Sequence, residues 1–150
     1  MANAFDFNLL THSPERLNVI SSKLGPDVDT KYSDMDKKKP VKAAAGGRHV
    51  LVSDGDELEG WIDSVEAFTV DGYSFGGVAR GNVGFRVEAQ VAAAVVTPLE
   101  FGDLVVAGIQ IARGTKGLPQ VKKGTPAVHK YRVLRLTTGA AGSLVLLEKV

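Results

Sequence analysis

His12, His49 and His129 are the imidazoles of this chain, and no two of them form an i, i+4 pair or a zinc-type spacing. Each therefore reads as a structural or surface histidine. Asp54, Asp56 and Glu57 around Gly55 resemble a fragment of a calcium loop. Their carboxylates are too few for the EF-hand pattern, and a solvated turn is the expectation. Gly72, Gly76, Gly77 and Gly81 do not make a GxGxxG phosphate cradle ahead of a helix, and no Gly-Lys-Ser/Thr follows a glycine-rich loop. The chain has no cysteine, which rules out disulfides, thiolate metal sites and cysteine nucleophiles. Lys37-Lys38-Lys39 is the longest run of like charge, diluted by Asp34 and Asp36. It reads as a solvated link, and an acidic protein surface or a phosphate is what it would take as a ligand. From these residues the expectation is a protein that is not an enzyme and carries no cofactor and no metal.

The elements that must position these side chains are mostly strands. Val83, Phe85, Val87, Ala89, Val91, Ala93 and Val95 alternate with Arg86, Glu88 and Gln90, the period of a half-buried strand. The rival reading is an alanine-rich helix over 86–96, since Glu, Gln and Ala are good helix formers. Further strands are expected at 48–53, 60–70 around Trp61, 73–80, 104–112, 130–137 and 143–149. Turn signals separate them at Asp54-Gly55, Asp71-Gly72, Gly81-Asn82, Lys123-Gly124 and Gly139-Ala140-Ala141-Gly142. Short strands spaced by such turns predict a barrel or sandwich. No internal repeat and no low-complexity tract stands out.

Residues 1–47 read differently, as an N-terminal arm. Ser13-Pro14-Glu15 has the composition of a helix start: a serine cap, proline at the first position and an acid in the first turn. The spacing predicts a short helix over about 14–24 with Leu17, Ile20 and Leu24 on one face, stopped by Gly25-Pro26. Residues 27–47 lack periodicity and read as an extended linker, with Ala43-Ala44-Ala45-Gly46-Gly47 as a hinge. A helix that short is marginal alone. Ordering each arm residue costs ~1–2 kcal/mol, against ~1.5–3 kcal/mol for each apolar side chain fully buried. The arm therefore orders only against its own body, a sister subunit or a larger partner. The expected fold class is mainly β: a compact barrel- or sandwich-like domain over 48–150, preceded by a long extended arm with one short helix.

Charge narrows the partners. The 150 residues carry 18 Lys and Arg against 17 Asp and Glu, a net charge of +1. The signs are mixed on both sides of Gly47, so the strong basic bias of a nucleic-acid binder is missing. No apolar run approaches the ~20 residues of a membrane span. The start, Met-Ala-Asn-Ala-Phe-Asp-Phe, lacks the form of a secretory signal.

The closing third carries a resemblance. Phe101-Gly102-Asp103-Leu104-Val105-Val106, then Val121-Lys122-Lys123-Gly124-Thr125-Pro126, then Tyr131-Arg132-Val133-Leu134, and finally Leu144-Val145-Leu146-Leu147-Glu148-Lys149-Val150 follow in an order that resembles the decoration (cement) proteins of tailed bacteriophage capsids. It covers about the last 50 residues by pattern and the whole chain by layout. It implies a small β module that settles on the outside of the expanded shell, with an arm laid across neighbouring capsid subunits. Its implied partners are the major capsid protein of the same phage and further copies of itself, as a homodimer or homotrimer. It implies no direct contact with nucleic acid or membrane, and a place on the outer capsid surface of the virion after synthesis in the host cytoplasm. Phe5, Phe7, Leu17, Ile20 and Leu24 are the expected arm anchors, with Lys37, Lys38 and Lys39 beside them. Removing residues 1–40 is expected to leave a folded body that binds shells poorly. Two rivals stand: another virion part such as a head-fibre base, tail or connector subunit, and a small trimeric β enzyme of the dUTPase kind. Asp71-Gly72-Tyr73 is a superficial echo of the latter, whose glycine-rich tail is missing.

Overall fold

Asp71 and Gly72 both adopt left-handed backbone, with φ of 52° and 83°. A two-residue hairpin turn that follows the natural strand twist needs that pair, and it joins β4 (Gly60–Val70) to β5 (Tyr73–Gly81). The rest of the fold is built around this hairpin. The computed structural model describes residues 17–93 and 97–150. Three strands precede the hairpin: β1 (Leu17–Leu24), β2 (Pro40–Ala44) and β3 (Arg48–Leu51). Five follow it: β6 (Arg86–Val91), β7 (Leu104–Ala107), β8 (Gln120–Lys123), β9 (Tyr131–Leu136) and β10 (Leu144–Lys149). A 3-10 turn lies at Asp34–Asp36.

The strands close into two five-stranded barrels, ordered β1-β3-β2-β4-β5 and β10-β6-β8-β7-β9. Stepping five strands along the chain maps each pairing of the first barrel onto one of the second. β1–β3 and β6–β8 are the parallel pairs. The antiparallel pairs β1–β5, β2–β3, β2–β4 and β4–β5 correspond to β6–β10, β7–β8, β7–β9 and β9–β10. The topology is thus repeated although the sequence shows no repeat. A barrel asks for alternation and turns at the right places, and unlike side chains satisfy both.

The arm expectation fails over residues 17–47. The stretch expected as the second part of a helix is β1, paired with β5 from Leu17↔Gly81 to Leu24↔Ser74. Val19, Ile20, Ser21 and Ser22 are poor helix formers, and an eight-residue strand ladder outweighs an isolated short helix. The rest of the helix expectation, Pro14 to Arg16, lies outside the described residues. The supposed hinge is the turn between β2 and β3, with Gly46 and Gly47 at φ of 81° and 71°. The boundary is therefore misplaced: the 3-10 turn, β1 and β2 all belong to the first barrel. Of the later strands, β6, β9 and β10 fall where alternation places them, β7 ends at Ala107 rather than running to 112, and β8 is a strand the pattern does not announce. β6 buries every second residue, and the rival helix does not form over residues 86–93.

Two apolar clusters hold the barrels. Leu24, Tyr32, Val41, Ile62 and Val78 fill the first barrel. The larger cluster runs from Phe85, Val87, Tyr131 and Leu147 of the second barrel to Leu58, Trp61 and Ala79 of the first. β5 is buried on both faces, with Val78 turned into one cluster and the adjacent Ala79 into the other. Trp61 meets Tyr131 edge to face at 5.7 Å. Backbone bonds cross the junction as well: the Gly55 N–H donates to the Ala107 carbonyl, and the Ala107 N–H to the Asp56 carbonyl, both at 2.8 Å.

Candidate interaction surface

Strand β1 is paired unevenly. Along residues 17–22 its described strand partner is β5 alone, and β3 joins it only at Lys23↔Arg48 and Leu24↔His49. The side chains from Asn18 to Ser21 are open to solvent: Val19 is 51% and Ile20 39% exposed. With Val83 and Arg80 they border a concavity of about 690 Å³ whose far wall includes Lys149. An edge strand with unpaired backbone and exposed branched residues is a template for pairing with another chain. The segment bearing Phe5 and Phe7 joins the chain at this same edge, and both residues lie outside the described ones.

The other expected anchors separate. Leu17 pairs through its backbone with Gly81. Ile20 lies on the open half of β1, but Leu24 is fully buried in the first barrel and cannot anchor a partner. In a strand the helical spacing of these residues no longer gathers them on one stripe. The lysine run also divides. Lys37 is exposed and lies 3.7 Å from Asp34. Lys38 is half-buried in left-handed backbone with φ of 72°. Lys39 has no exposure at all, and its ammonium donates to Asp36 Oδ1 at 2.9 Å and to the Ala112 carbonyl at 2.8 Å. It is withdrawn from the candidate partner-binding residues.

Asp36 completes a clamp between the barrels. Its carboxylate accepts from the Ser33 N–H at 3.0 Å and from the Gly114 N–H at 2.8 Å. Alongside, Arg113 donates to the Lys31 carbonyl at 2.6 Å. The buried pair thus ties the 3-10 turn of the first barrel to the loop between β7 and β8 of the second. Above it a cavity of about 520 Å³ opens, lined by Met35, Lys37, Lys38, Lys116 and Leu118, with Asp34 and Gly117 completing the wall.

Asp54, Asp56 and Glu57 do not converge on an ion; they fan out to separate partners. Asp54 pairs with Lys122 at 2.8 Å, and Asp56 with Lys42 at 2.6 Å and the Ser53 N–H at 2.7 Å. Glu57 accepts from the Val128 and His129 N–H groups at 2.8 and 2.7 Å, bonds that hold its carboxyl below the usual range. The turn is exposed from Ser53 to Gly55, as a solvated turn is, and through Asp54 and Glu57 it also ties the barrels together. Among the described residues, no group of three or more His, Asp or Glu could hold a metal ion, and no helix is long and apolar enough to cross a membrane.

His49 and His129 both titrate below the ordinary imidazole range. For His49 the main cause is burial, with Arg80 adding and Glu59 opposing. His49 Nδ1 and Ser22 Oγ lie 2.8 Å apart, and the buried Nε2 has no partner among the described residues. Burial is also the first cause for His129, helped by Lys149 and opposed by Glu59, whose Oε1 lies 3.6 Å from Nε2. His12 lies outside the described residues. Gly72, Ser74 and Gly76 have the GxSxG spacing of a hydrolase nucleophile elbow, which the motif reading of the sequence overlooks. An elbow needs a strand-to-helix turn that exposes the serine. Ser74 instead lies inside β5, 4% exposed, its Oγ accepting from the Tyr32 N–H at 2.9 Å.

Fold and surface together define a tandem β-barrel protein with a half-strand left unpaired on one side among the described residues and a cavity at the barrel junction. Comparison with known protein families, with curated proteins and with solved structures finds no match to this chain.

Proposed function

We propose that this protein is a structural component of a tailed-phage virion, a decoration protein that binds the outside of the expanded capsid and clamps neighbouring major capsid protein subunits. The observation that carries this reading is the open half of β1. Its exposed Val19 and Ile20, and an edge that no other described strand pairs, suit strand addition. The order of segments in the closing third supports the same reading through its resemblance to cement proteins. Bridging contacts on a shell suit this design, because many modest contacts repeated over a lattice bind tightly through avidity.

The test is co-sedimentation of the protein with undecorated shells of the same phage, before and after expansion. Saturable binding at hundreds of copies to expanded shells alone is expected, by analogy with lattice avidity. No binding to either form discards the reading. The informative truncation removes residues 1–16. Removing 1–40 also deletes β1 and the 3-10 turn, which opens the first barrel and makes loss of binding uninterpretable. The shorter deletion should stay folded and lose most shell binding; undiminished binding would remove the arm from the mechanism.

A further inference from the structure

Arg80 on β5 and Lys149 on β10 are both half-buried, and both border the concavity of about 690 Å³ beside the open half of β1. Among the described residues neither forms an ion pair, and neither side chain makes a hydrogen bond. They belong to different barrels, so only the assembled body brings the two charges together. Glu59 is the acid within electrostatic reach of Lys149. Its oxygens are committed elsewhere: Oε2 accepts from the Ala43 N–H at 2.9 Å, and Oε1 lies 3.6 Å from His129 Nε2. His49 and His129 also feel Arg80, and burial keeps both imidazoles mostly neutral at neutral pH. Two cations therefore face one carboxylate, and one positive charge is left over.

The two charges act on each other. Lys149 gives up its proton more readily than an ordinary lysine: burial is the first cause, the Arg80 charge adds to it, and Glu59 opposes it. Like charges gathered partly out of water cost free energy, and an anion between them lowers that cost. Both are held in place. The Arg80 backbone is paired with Asn18 in the β1–β5 ladder, and the Lys149 ammonium sits 5.5 Å from the centre of the Tyr131 ring. A ring face offsets only part of an ammonium charge. At the rim the Asn18 amide donates to Asn82 Oδ1 at 3.4 Å. Val19, Ile20 and Val83 supply an apolar side, with Val83 71% exposed.

We propose that this concavity binds a small aliphatic carboxylate, its oxygens on Arg80 and Lys149 and its hydrocarbon chain along Val19, Ile20 and Val83. A surplus of one positive charge matches a monoanion, whereas a phosphate dianion would overshoot it with Glu59 close by. The guanidinium fork fits the two oxygens of a carboxylate. The volume is that of a small-molecule site, which spans ~300–1,000 Å³. A neutral alkyl ligand leaves both cations unanswered, and bare acetate leaves the branched side chains wet. The site goes beyond the capsid reading, and its test needs no shell.

The experiment titrates the full chain with octanoate, octanamide, acetate and inorganic phosphate by calorimetry at neutral pH. Octanoate should bind one to one and at least about fivefold tighter than octanamide, the factor expected for a partly exposed ion pair. It should bind at least about tenfold tighter than acetate, the gain expected from burying two methylenes. Lys149→Met keeps the apolar stem and should weaken octanoate about fivefold or more while leaving octanamide unchanged. Arg80→Gln makes the same test from the other barrel should Lys149→Met fail to fold, and thermal unfolding of each variant checks its fold. Val83→Ser, at an exposed position, should weaken octanoate and spare acetate. Equal affinity for octanoate and octanamide, acetate or phosphate binding as tightly as octanoate, no saturable binding, or indifference of octanoate to a folded charge variant each overturns the proposal.

Discussion

Asp36 and Lys39 show most clearly what a single residue does here. Both side chains are fully buried, and each satisfies groups from the opposite barrel besides its partner. Removing one member leaves the other charge stranded, a loss of about 3–5 kcal/mol. Asp36→Asn keeps the shape and should fall in that range by urea unfolding. The double change Asp36→Asn/Lys39→Met should recover much of it, because the stranded ammonium is gone. If Asp36→Asn costs less than about 1 kcal/mol, the pair does not hold the junction. The histidines predict a pH dependence. An unfolded imidazole ionises near pH ~6.5, whereas burial holds His49 and His129 lower in the fold. Between those values the unfolded chain binds more protons, so stability is whole above about pH 6.5 and falls as pH drops through the folded values. The midpoint of thermal unfolding should decline from about pH 7 to pH 5, and less steeply in His49→Gln. An equal slope in that variant would assign the loss elsewhere.

Strands and turns differ in how far the sequence alone announces them. β4, β5, β9 and β10 lie where alternation and flanking turn residues put them, because each pairs with a near neighbour in the chain. β1 was not legible, since Leu17, Ile20 and Leu24 satisfy a helical spacing as well as a strand. Its state is set by β5, 50 to 64 residues onward in the ladder from Leu24↔Ser74 to Leu17↔Gly81. β2 and the short β8 are not announced for a different reason: each has only four or five residues and little alternation of its own, although β2 pairs with the next strand β3 and β8 with the preceding β7. Lys39 reads as solvated in a charged run because its Ala112 acceptor is 73 residues away. The cavity is equally non-local, joining Met35 to Leu118. Glycines divide in the same way. Gly76 sits where β4 and β5 shift register, and an added Cβ would run into the Ser64 carbonyl. Gly76→Ala should destabilise by about 2–4 kcal/mol. Gly102 has open space around it and only a left-handed φ of 85° to forbid a side chain. Gly102→Ala should cost about 1–2 kcal/mol. Equal losses for the two in denaturant unfolding would contradict the close approach at Gly76.

At the scale of the whole molecule, two barrels of the same topology raise the question of whether they fold as two units or one. The larger apolar cluster answers for one, since it runs from Leu58, Trp61 and Ala79 through the entire second barrel. The backbone bonds at Ala107, the Asp54–Lys122 pair and the bonds of Glu57 to residues 128 and 129 add polar ties across the same junction. Neither barrel can lose its fold without exposing part of the other's core, so unfolding should be a single transition. Trp61 is the only tryptophan and lies fully buried at the junction, so its emission reports that contact alone. Far-ultraviolet circular dichroism reports the strands of both barrels. The two signals should trace the same urea curve, with one midpoint. Trp61→Ala should lower that midpoint by an amount equivalent to about 3–5 kcal/mol, with the dichroism curve still a single step. A plateau between two dichroism steps, or an emission change that precedes the loss of strands, would show the barrels opening independently. The proposed role as a capsid clamp requires load to pass from one contact to another, and a body that yields at its own junction would transmit little of it.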